Sequence, residues 1–358
     1  MRSDPLEQVG RRVIDPSPRH PGHRPGDPTG QWRVGARTGR TTRTSVTPVD
    51  CVVSVEGLRK SYGERERLHG ISFEVHAGEI LGFLGTNGAG KTTTIEVLEG
   101  YRPYNGGTVS VLGVDPAHAT RSWRNRIGLV LQECELDPVY TVRETVSTFA
   151  RYFRRPTDVG ATIEAVGLSA KADDRVGQLS GGQKRRLDVA VGLVGDPEIL
   201  FLDEPTTGLD PLARREMWTM IEGLRAVGKT IFLTTHYMDE AQHLADRIII
   251  LRAGEIAAVG TADELSATLE YRATVSFDAF AGLDVDQLGA ALGRPLRVSE
   301  SAVHFASQDV QADVAALLDW ARDHDVRLAN FQVIQPSLDD VFVRLAGDAV
   351  PEVGEVDR

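Results

Sequence analysis

Leu179-Ser180-Gly181-Gly182-Gln183 is the stretch that decides how this chain is read. A serine and two glycines precede a helical pattern with apolar residues at Leu187, Ala190, Val191 and Val194, spaced i, i+3, i+4 and i+7. A helix start of that composition exposes backbone N–H donors with no side chain in the way, which suits a phosphate group. The five residues lie between two other segments that bear on phosphate chemistry, a glycine loop upstream and a pair of acids downstream.

The upstream segment begins with a short apolar run, Ile80-Leu81-Gly82-Phe83-Leu84, which leads into Gly85-Thr86-Asn87-Gly88-Ala89-Gly90-Lys91-Thr92, and Thr93 to Leu98 then reads as helix. Strand, glycine loop and helix in that order are the context a phosphate-loop match requires. Gly85, Gly88 and Gly90 let backbone N–H groups turn inward, and Thr86, Asn87, Ala89 and Thr93 complete the nucleotide-binding stretch. Lys91 is placed to reach the β- and γ-phosphates, and Thr92 to put a hydroxyl on Mg²⁺. Downstream, Ile199-Leu200-Phe201-Leu202 fits a strand buried on both faces, with Asp203 and Glu204 emerging at its carboxyl end. Asp203 suits Mg²⁺, which prefers hard oxygen ligands, and Glu204 suits a general base that polarises an attacking water.

Composition bounds the rest. A chain of 358 residues implies roughly two domains at ~150 residues each, and 41% hydrophobic residues supply an ordinary globular core. A net charge of -11 argues against a nucleic-acid partner held by counterion release. Cys51 and Cys134 form neither a disulfide framework nor a metal-ligand spacing, and read as free thiols in a reducing cytoplasm. No apolar run approaches the ~18 residues needed to cross a bilayer. Arg11-Arg12 is followed by Asp15, Pro16 and Pro18 rather than by an apolar export segment. Work at a membrane would therefore proceed from the cytoplasm and through a partner.

Residues 1–50 are rich in Arg, Pro, Gly and Thr without apolar periodicity and are expected to be disordered, as is a flexible tail over 347–358. Residues 51–268 carry the nucleotide-binding pattern, beginning with extended segments around Val53, Val55 and Leu58 and around Ile71, Phe73 and Val75. A mostly helical arm is expected over about 135–180. Strands at Ile199–Leu202, Thr230–Thr234 and Arg247–Leu251 alternate with helical stretches, which predicts a parallel sheet with helices on its faces. Residues 269–346 follow the order β-α-β-β-α-β of a small ferredoxin-like α+β domain. Their last helix is opened by Ser337 with Asp340 three residues on, a capping-box arrangement. Lys184, Arg185 and Arg186 read as a solvated first helical turn rather than a nucleic-acid patch.

Together these motifs resemble those of an ATP-binding cassette (ABC) ATPase, and the resemblance covers about 52–265. It implies an ABC-type α/β fold, with a parallel-sheet core, an antiparallel β subdomain and an inserted helical subdomain, that binds ATP and Mg²⁺ and hydrolyses ATP. By the same resemblance Tyr62 stacks on adenine, and Gln132 joins the sheet to the helical arm, ligates metal and takes part in catalysis. Ser180, Gly181, Gly182 and Gln183 are the signature facing the ATP of a second copy, Asp210 belongs to the D-loop, and His236 is the switch histidine, with a catalytic or γ-phosphate-sensing role. Thr86 stands where proline is usual.

Ser180 to Ala190 and the ending Pro336-Ser337-Leu338-Asp339-Asp340-Val341-Phe342 resemble the separate ATPase subunits of ABC-2-type exporters, drug-resistance exporters among them. That resemblance implies a dimer of this chain driving a separate membrane permease, peripheral on the inner face of the cell membrane. The alternative is a regulatory ATPase that acts by ATP-driven dimerisation without transport.

Overall fold

The computed structural model describes residues 51–346 apart from 133, 270, 281 and 300. The expected disorder of 1–50 and the tail over 347–358 lie outside the described residues.

Along the chain come β1 (Cys51–Tyr62), β2 (Arg65–His76), β3 (Ile80–Gly85), α1 (Lys91–Leu98), β4 (Gly106–Val111), α2 (Arg121–Arg124), β5 (Ile127–Val130), α3 (Val142–Ala150), α4 (Val159–Ala165) and α5 (Gly181–Leu193). After these come β6 (Ile199–Asp203), α6 (Pro211–Ala226), β7 (Thr230–Thr235), α7 (Met238–Leu244), β8 (Arg247–Arg252) and β9 (Glu255–Gly260). A six-stranded sheet in the order β5-β6-β7-β3-β8-β9 forms the centre, parallel except for β9. Every residue of β3, β6 and β7 is buried, which is why these strands are apolar without alternation. Register sets the site: Leu84 pairs with Thr235 and Asp203 with Thr234. The carboxyl ends of β3, β6 and β7 therefore share one edge, and the glycine loop, the two acids and His236 emerge together there.

A second sheet, β2-β1-β4, is antiparallel and packs on the first. Phe73 from β2 joins Phe83, Phe201 and Phe232 of the central sheet, with neighbouring ring centroids 5.3–6.1 Å apart. The helical arm is less continuous than expected, because only α3 and α4 are α-helical between 135 and 180, with short 3₁₀ turns at Ser169–Lys171 and Val176–Gln178. Pro138 and Pro156, with Gly167 at positive φ, interrupt it. Its apolar positions still bury Val142, Val146 and Ile163 in one core with Leu187 and Ala190 of α5.

After α8 (Ala262–Ser266) the chain forms β10 (Ala273–Asp278), α9 (Val285–Leu292), β11 (Arg297–Ser299), β12 (Ala302–Ser307), α10 (Val310–Asp323) and β13 (Gln332–Ile334), and ends on α11 (Leu338–Ala346). The four strands make an antiparallel sheet ordered β11-β12-β10-β13, the arrangement of a ferredoxin-like unit. Ser337 and Asp340 cap α11 reciprocally. This helix packs back on the nucleotide domain: Leu338 and Val341 share a core with Leu84, Ala241 and Leu265.

Candidate active site

The loop between β3 and α1 closes tightly on itself. Gly88 and Gly90 adopt φ of +81° and +117°, and a Cβ on Gly90 would lie 2.7 Å from Leu68 Cδ2. Only glycine meets both demands. Lys91, the first residue of α1, is buried, and its ammonium donates to the Gly85 carbonyl at 2.8 Å and meets Glu204 Oε1 at 3.1 Å.

Glu204 follows the last residue of β6 and sits at φ 45°, a left-handed conformation that a non-glycine residue adopts only when its surroundings impose it. Its N–H donates to the carbonyl and hydroxyl oxygens of Thr234, both at 3.1 Å, and its own carbonyl accepts from Arg185 at 3.4 Å. The carboxylate is held by Lys91, by His236 Nδ1 at 3.1 Å and by the Thr207 hydroxyl at 3.2 Å. Burial pushes this carboxyl up, but the Lys91 ammonium, His236 and the Thr207 hydroxyl outweigh it and leave Glu204 below the usual glutamate value. Asp203 behaves oppositely. Burial raises it, and the neighbouring Glu204 charge adds to that, against the stabilising hydroxyl of Thr234.

Tyr62, Thr86, Asn87, Gly88, Gly90, Lys91, Thr92, Thr93, Gln132, Glu204 and His236 line a single cleft of about 730 Å³. Gly85, Ala89 and Asp203 are buried and do not line it, and Gly85 contributes the carbonyl that accepts from Lys91. Ser180, Gly181, Gly182, Gln183 and Asp210 do not line this cleft. Ser180 instead caps α5: its hydroxyl accepts from Gln183 N–H at 3.3 Å while Gln183 Oε1 accepts from Ser180 N–H at 2.9 Å. Asp210 caps α6 by accepting from Leu212 and Ala213 N–H, each at 3.0 Å.

Sequence reasoning missed several contributors. Arg65, Arg67, Glu96, Arg102 and Thr207 also line the cleft, and Lys60 and Arg102 approach the Tyr62 ring at 5.0 and 5.6 Å from its centroid. The expectation of a solvated first turn at 184–186 is corrected at Arg185. That side chain is buried and donates to the carbonyls of Leu131, Pro205, Asp203 and Glu204, while only Lys184 of the three is exposed. Arg185 thus ties the start of α5 to the acids at the end of β6 and to the segment leading to Gln132.

The residues present fit a nucleoside triphosphate. Left-handed glycines, the start of α1 and four cations at Arg65, Arg67, Lys91 and Arg102 face one cleft. They also fit magnesium, since Thr92, Gln132 and Asp203 offer oxygen donors, and a buried Asp203 with a raised pKa gains from a cation. The described residues hold no cluster of three or more His, Cys, Asp or Glu suited to a metal alone, so such an ion would be shared with phosphate oxygens.

Comparison with known proteins gives the family. Residues 68–207 match the family model described as ABC transporter, and residues 273–337 match that of the ABC transporter domain-containing protein-like C-terminal domain. The chain belongs to the ABC transporter family and is an ATP-binding, ATP-hydrolysing subunit. It is 40% identical over 305 residues to the Nod factor export ATP-binding protein I of Ralstonia nicotianae, covering 83% of this chain and 94% of the relative. To the protein of the same name from Rhizobium meliloti it is 37% identical over 352 residues, covering 96% and 98%. Among solved structures it resembles cbiO1 from Clostridium perfringens, part of the ABC transporter complex cbiONQ, with 28% identity and a TM-score of 0.55 over 61% of this chain and 91% of that one. It also shares the fold of an ATP-binding subunit of an ABC transporter at 24% identity and a TM-score of 0.55, over 68% of this chain and all of the other.

Proposed function

We propose that this chain is the motor of an exporter, in which two copies close on two ATP molecules, hydrolyse them and reopen to drive a separate ABC-2-type membrane permease. The observation that carries the reading is the Glu204 carboxylate, buried in the cleft lining, ionised and held between Lys91 and His236. A γ-phosphate competes with Glu204 for the Lys91 ammonium. Glu204 then keeps His236 and Thr207, faces an attacking water, and takes its proton as the water oxygen bonds to phosphorus and the ADP oxygen leaves. Magnesium, when bound, neutralises phosphate charge, with Thr92, Asp203 and Gln132 as its protein oxygens. Tyr62 stacks on the adenine ring, and His236 holds Glu204 while it senses the γ-phosphate.

The signature and Asp210 supply the second half of each site from the other copy. The N–H groups at the start of α5 and the capped start of α6 point the same chemistry at a partner's phosphate that the glycine loop points at its own. Ser180→Arg should therefore leave ATP binding within about twofold and abolish turnover, because one N-terminal donor site is lost and charge is added. Wild-type turnover in that variant contradicts a shared site. No helix among the described residues is long and apolar enough to cross a membrane, which supports a peripheral place on the cytoplasmic face of the cell membrane, held by the permease. The cargo is selected by that permease, and Nod factor export, named for the relatives, and drug export would be served by the same motor. Co-purification with a six-span membrane protein separates this reading from a regulatory ATPase.

A further inference from the structure

Among the described residues, five buried side-chain nitrogen or oxygen atoms lack a partner of ordinary hydrogen-bond geometry: His76 Nδ1, Glu99 Oε1, Thr206 Oγ1, Arg214 Nε and Glu240 Oε2. Glu99 stands in a separate cleft, beside Phe149, Tyr152 and Phe153 of the arm. Thr206, Arg214 and Glu240 instead meet where the loop after β6, helix α6 and the first turn of α7 converge. Thr206 and Glu240 are each 0% exposed. Leaving buried polar groups unpaired is costly, so three of them in one place ask for a reason.

Glu240 is the third residue of α7, which begins just after the switch segment Thr235-His236-Tyr237. Its Oε1 accepts from Trp218 Nε1 at 3.1 Å. Burial acts first and raises its carboxyl, against the Thr235 and Thr206 hydroxyls, the Trp218 indole and the Arg214 guanidinium beside it. Arg214 is itself shared with Asp239 at 3.5 Å and lies over the Tyr237 ring, 4.3 Å from its centroid. A carboxyl that keeps its proton accepts from Trp218 at one oxygen and donates to a hydroxyl at the other.

The places of the two hydroxyls in the chain give this cluster its meaning. Thr206 precedes Thr207, and Thr235 precedes His236. Thr207 and His236 both hold Glu204 Oε2, while Lys91 meets Oε1. In each pair the first side chain is buried and the second lines the nucleotide cleft, so fixing the inner one orients the outer one. The Thr235 hydroxyl also accepts from Tyr237 N–H at 3.0 Å, which closes the backbone around His236. Thr206, Trp218, Thr235 and Glu240 do not line the cleft themselves.

Resting on the reading of Glu204 as the base, we infer that Glu240 is a positioning residue: its carboxyl bridges Thr206 and Thr235, and so keeps the Thr207 hydroxyl and the His236 imidazole on Glu204 Oε2. Trp218 adds a third point of attachment, on the helix that Asp210 caps. The bridge depends on shape and hydrogen bonding rather than charge, so an amide in place of the carboxyl serves it.

The test uses the full chain and compares Glu240→Gln, Glu240→Ala and Thr206→Val. Turnover is expressed per ATP-binding site, counted by nucleotide titration, so that an unfolded fraction drops out. Glu240→Ala should lower kcat by on the order of 10–100-fold, the scale of a small misplacement of reacting groups, and leave the ATP Kd within about twofold. Glu240→Gln keeps an acceptor for Trp218 and a donor for a hydroxyl, and should bring kcat back to within about threefold of wild type. Thr206→Val removes a buried hydroxyl that lacks a partner. A merely structural hydroxyl of that kind is lost without harm, whereas the bridge predicts slower turnover at unchanged Kd. Wild-type turnover per site in Glu240→Ala overturns the proposal, as does a Glu240→Gln chain as slow as the alanine variant, or a parallel loss of ATP affinity. Should Glu240→Ala bind no ATP, Thr206→Val decides: slower turnover at unchanged Kd supports the bridge, and wild-type turnover contradicts it. Glu204→Gln is the reference. If it keeps its turnover, the base reading falls and this one with it; an inactive Glu204→Gln beside a normal Glu240→Ala strikes the positioning role alone.

Discussion

Glu204 and Glu99 are buried almost equally, 8% and 7% exposed, yet one ionises below the ordinary glutamate value and the other at about 8. Both suffer desolvation. The difference lies in partners: Glu204 has an ammonium, an imidazole and a hydroxyl within 3.2 Å, and Glu99 has two like charges and an unpaired oxygen. In the nucleotide cleft the counter-charges are built in. Among the described residues Glu99 has no such partner, and its carboxyl keeps its proton up to about 8 instead.

The largest effect should come from Glu204→Gln, which keeps the shape and removes the base. Steady-state ATP turnover should fall by roughly 10²–10⁴-fold while ATP still binds, and near-normal turnover removes Glu204 from the chemistry. Lys91→Ala comes next. Nucleotide affinity should drop by at least about tenfold, the scale of one charge-assisted contact. Glu204 would also lose its main cation, moving the acid limb of any residual activity to higher pH. An unchanged limb argues that Lys91 does not set the Glu204 charge.

Glu99 binds its proton more tightly folded than unfolded, so between the ordinary glutamate range and about pH 8 the unfolded chain has released a proton that the folded chain retains. Folding stability is therefore lost as pH rises through that window, and the loss is complete above about 8. Glu99→Gln should stabilise the chain at pH 8 relative to pH 5 by roughly 1–3 kcal/mol, read from urea midpoints at the two values. A gain equal at both pH values would show that Glu99 does not titrate there. Glu204 has the opposite sign: its contribution is present above the unfolded glutamate value and lost as pH falls through its depressed folded value. The smallest effect is expected for Tyr62→Ala, a several-fold weaker ATP affinity worth about 1 kcal/mol, measured by nucleotide titration. No change would assign Tyr62 to its contacts with Lys60 and Arg102 alone.

The nucleotide cleft was largely legible in the sequence because its demands are local. A both-face buried strand must be uninterruptedly apolar, as β3 and β6 are, and a left-handed turn against Leu68 must use glycine, as Gly90 does. The Ser180-to-Gln183 cap has the serine-then-glutamine spacing of a capping box, but a reading of this stretch as an anion site passes over it. What stayed hidden depends on contacts distant in sequence. Arg185 sits among three cations that look solvated, and only carbonyls from β6 and the Gln132 segment make it a buried strut. Glu99 looks like an ordinary acid near a helix end, and nothing local reveals that aromatics of the arm line its cleft. The β-α-β-β-α-β succession of elements followed from alternation and helical spacing, but the docking of α11 on the nucleotide domain did not, because its apolar face carries no mark of its partner.

In the proposed cycle one chain holds only half of each working site. Sedimentation of the Glu204→Gln chain with and without MgATP tests it most directly, because ATP that is bound but not hydrolysed should hold two copies together. The expected result is a monomer without nucleotide and a stable dimer with MgATP, reversed by Ser180→Arg in the same background. A monomer under both conditions, in a protein shown to bind ATP, would contradict the account.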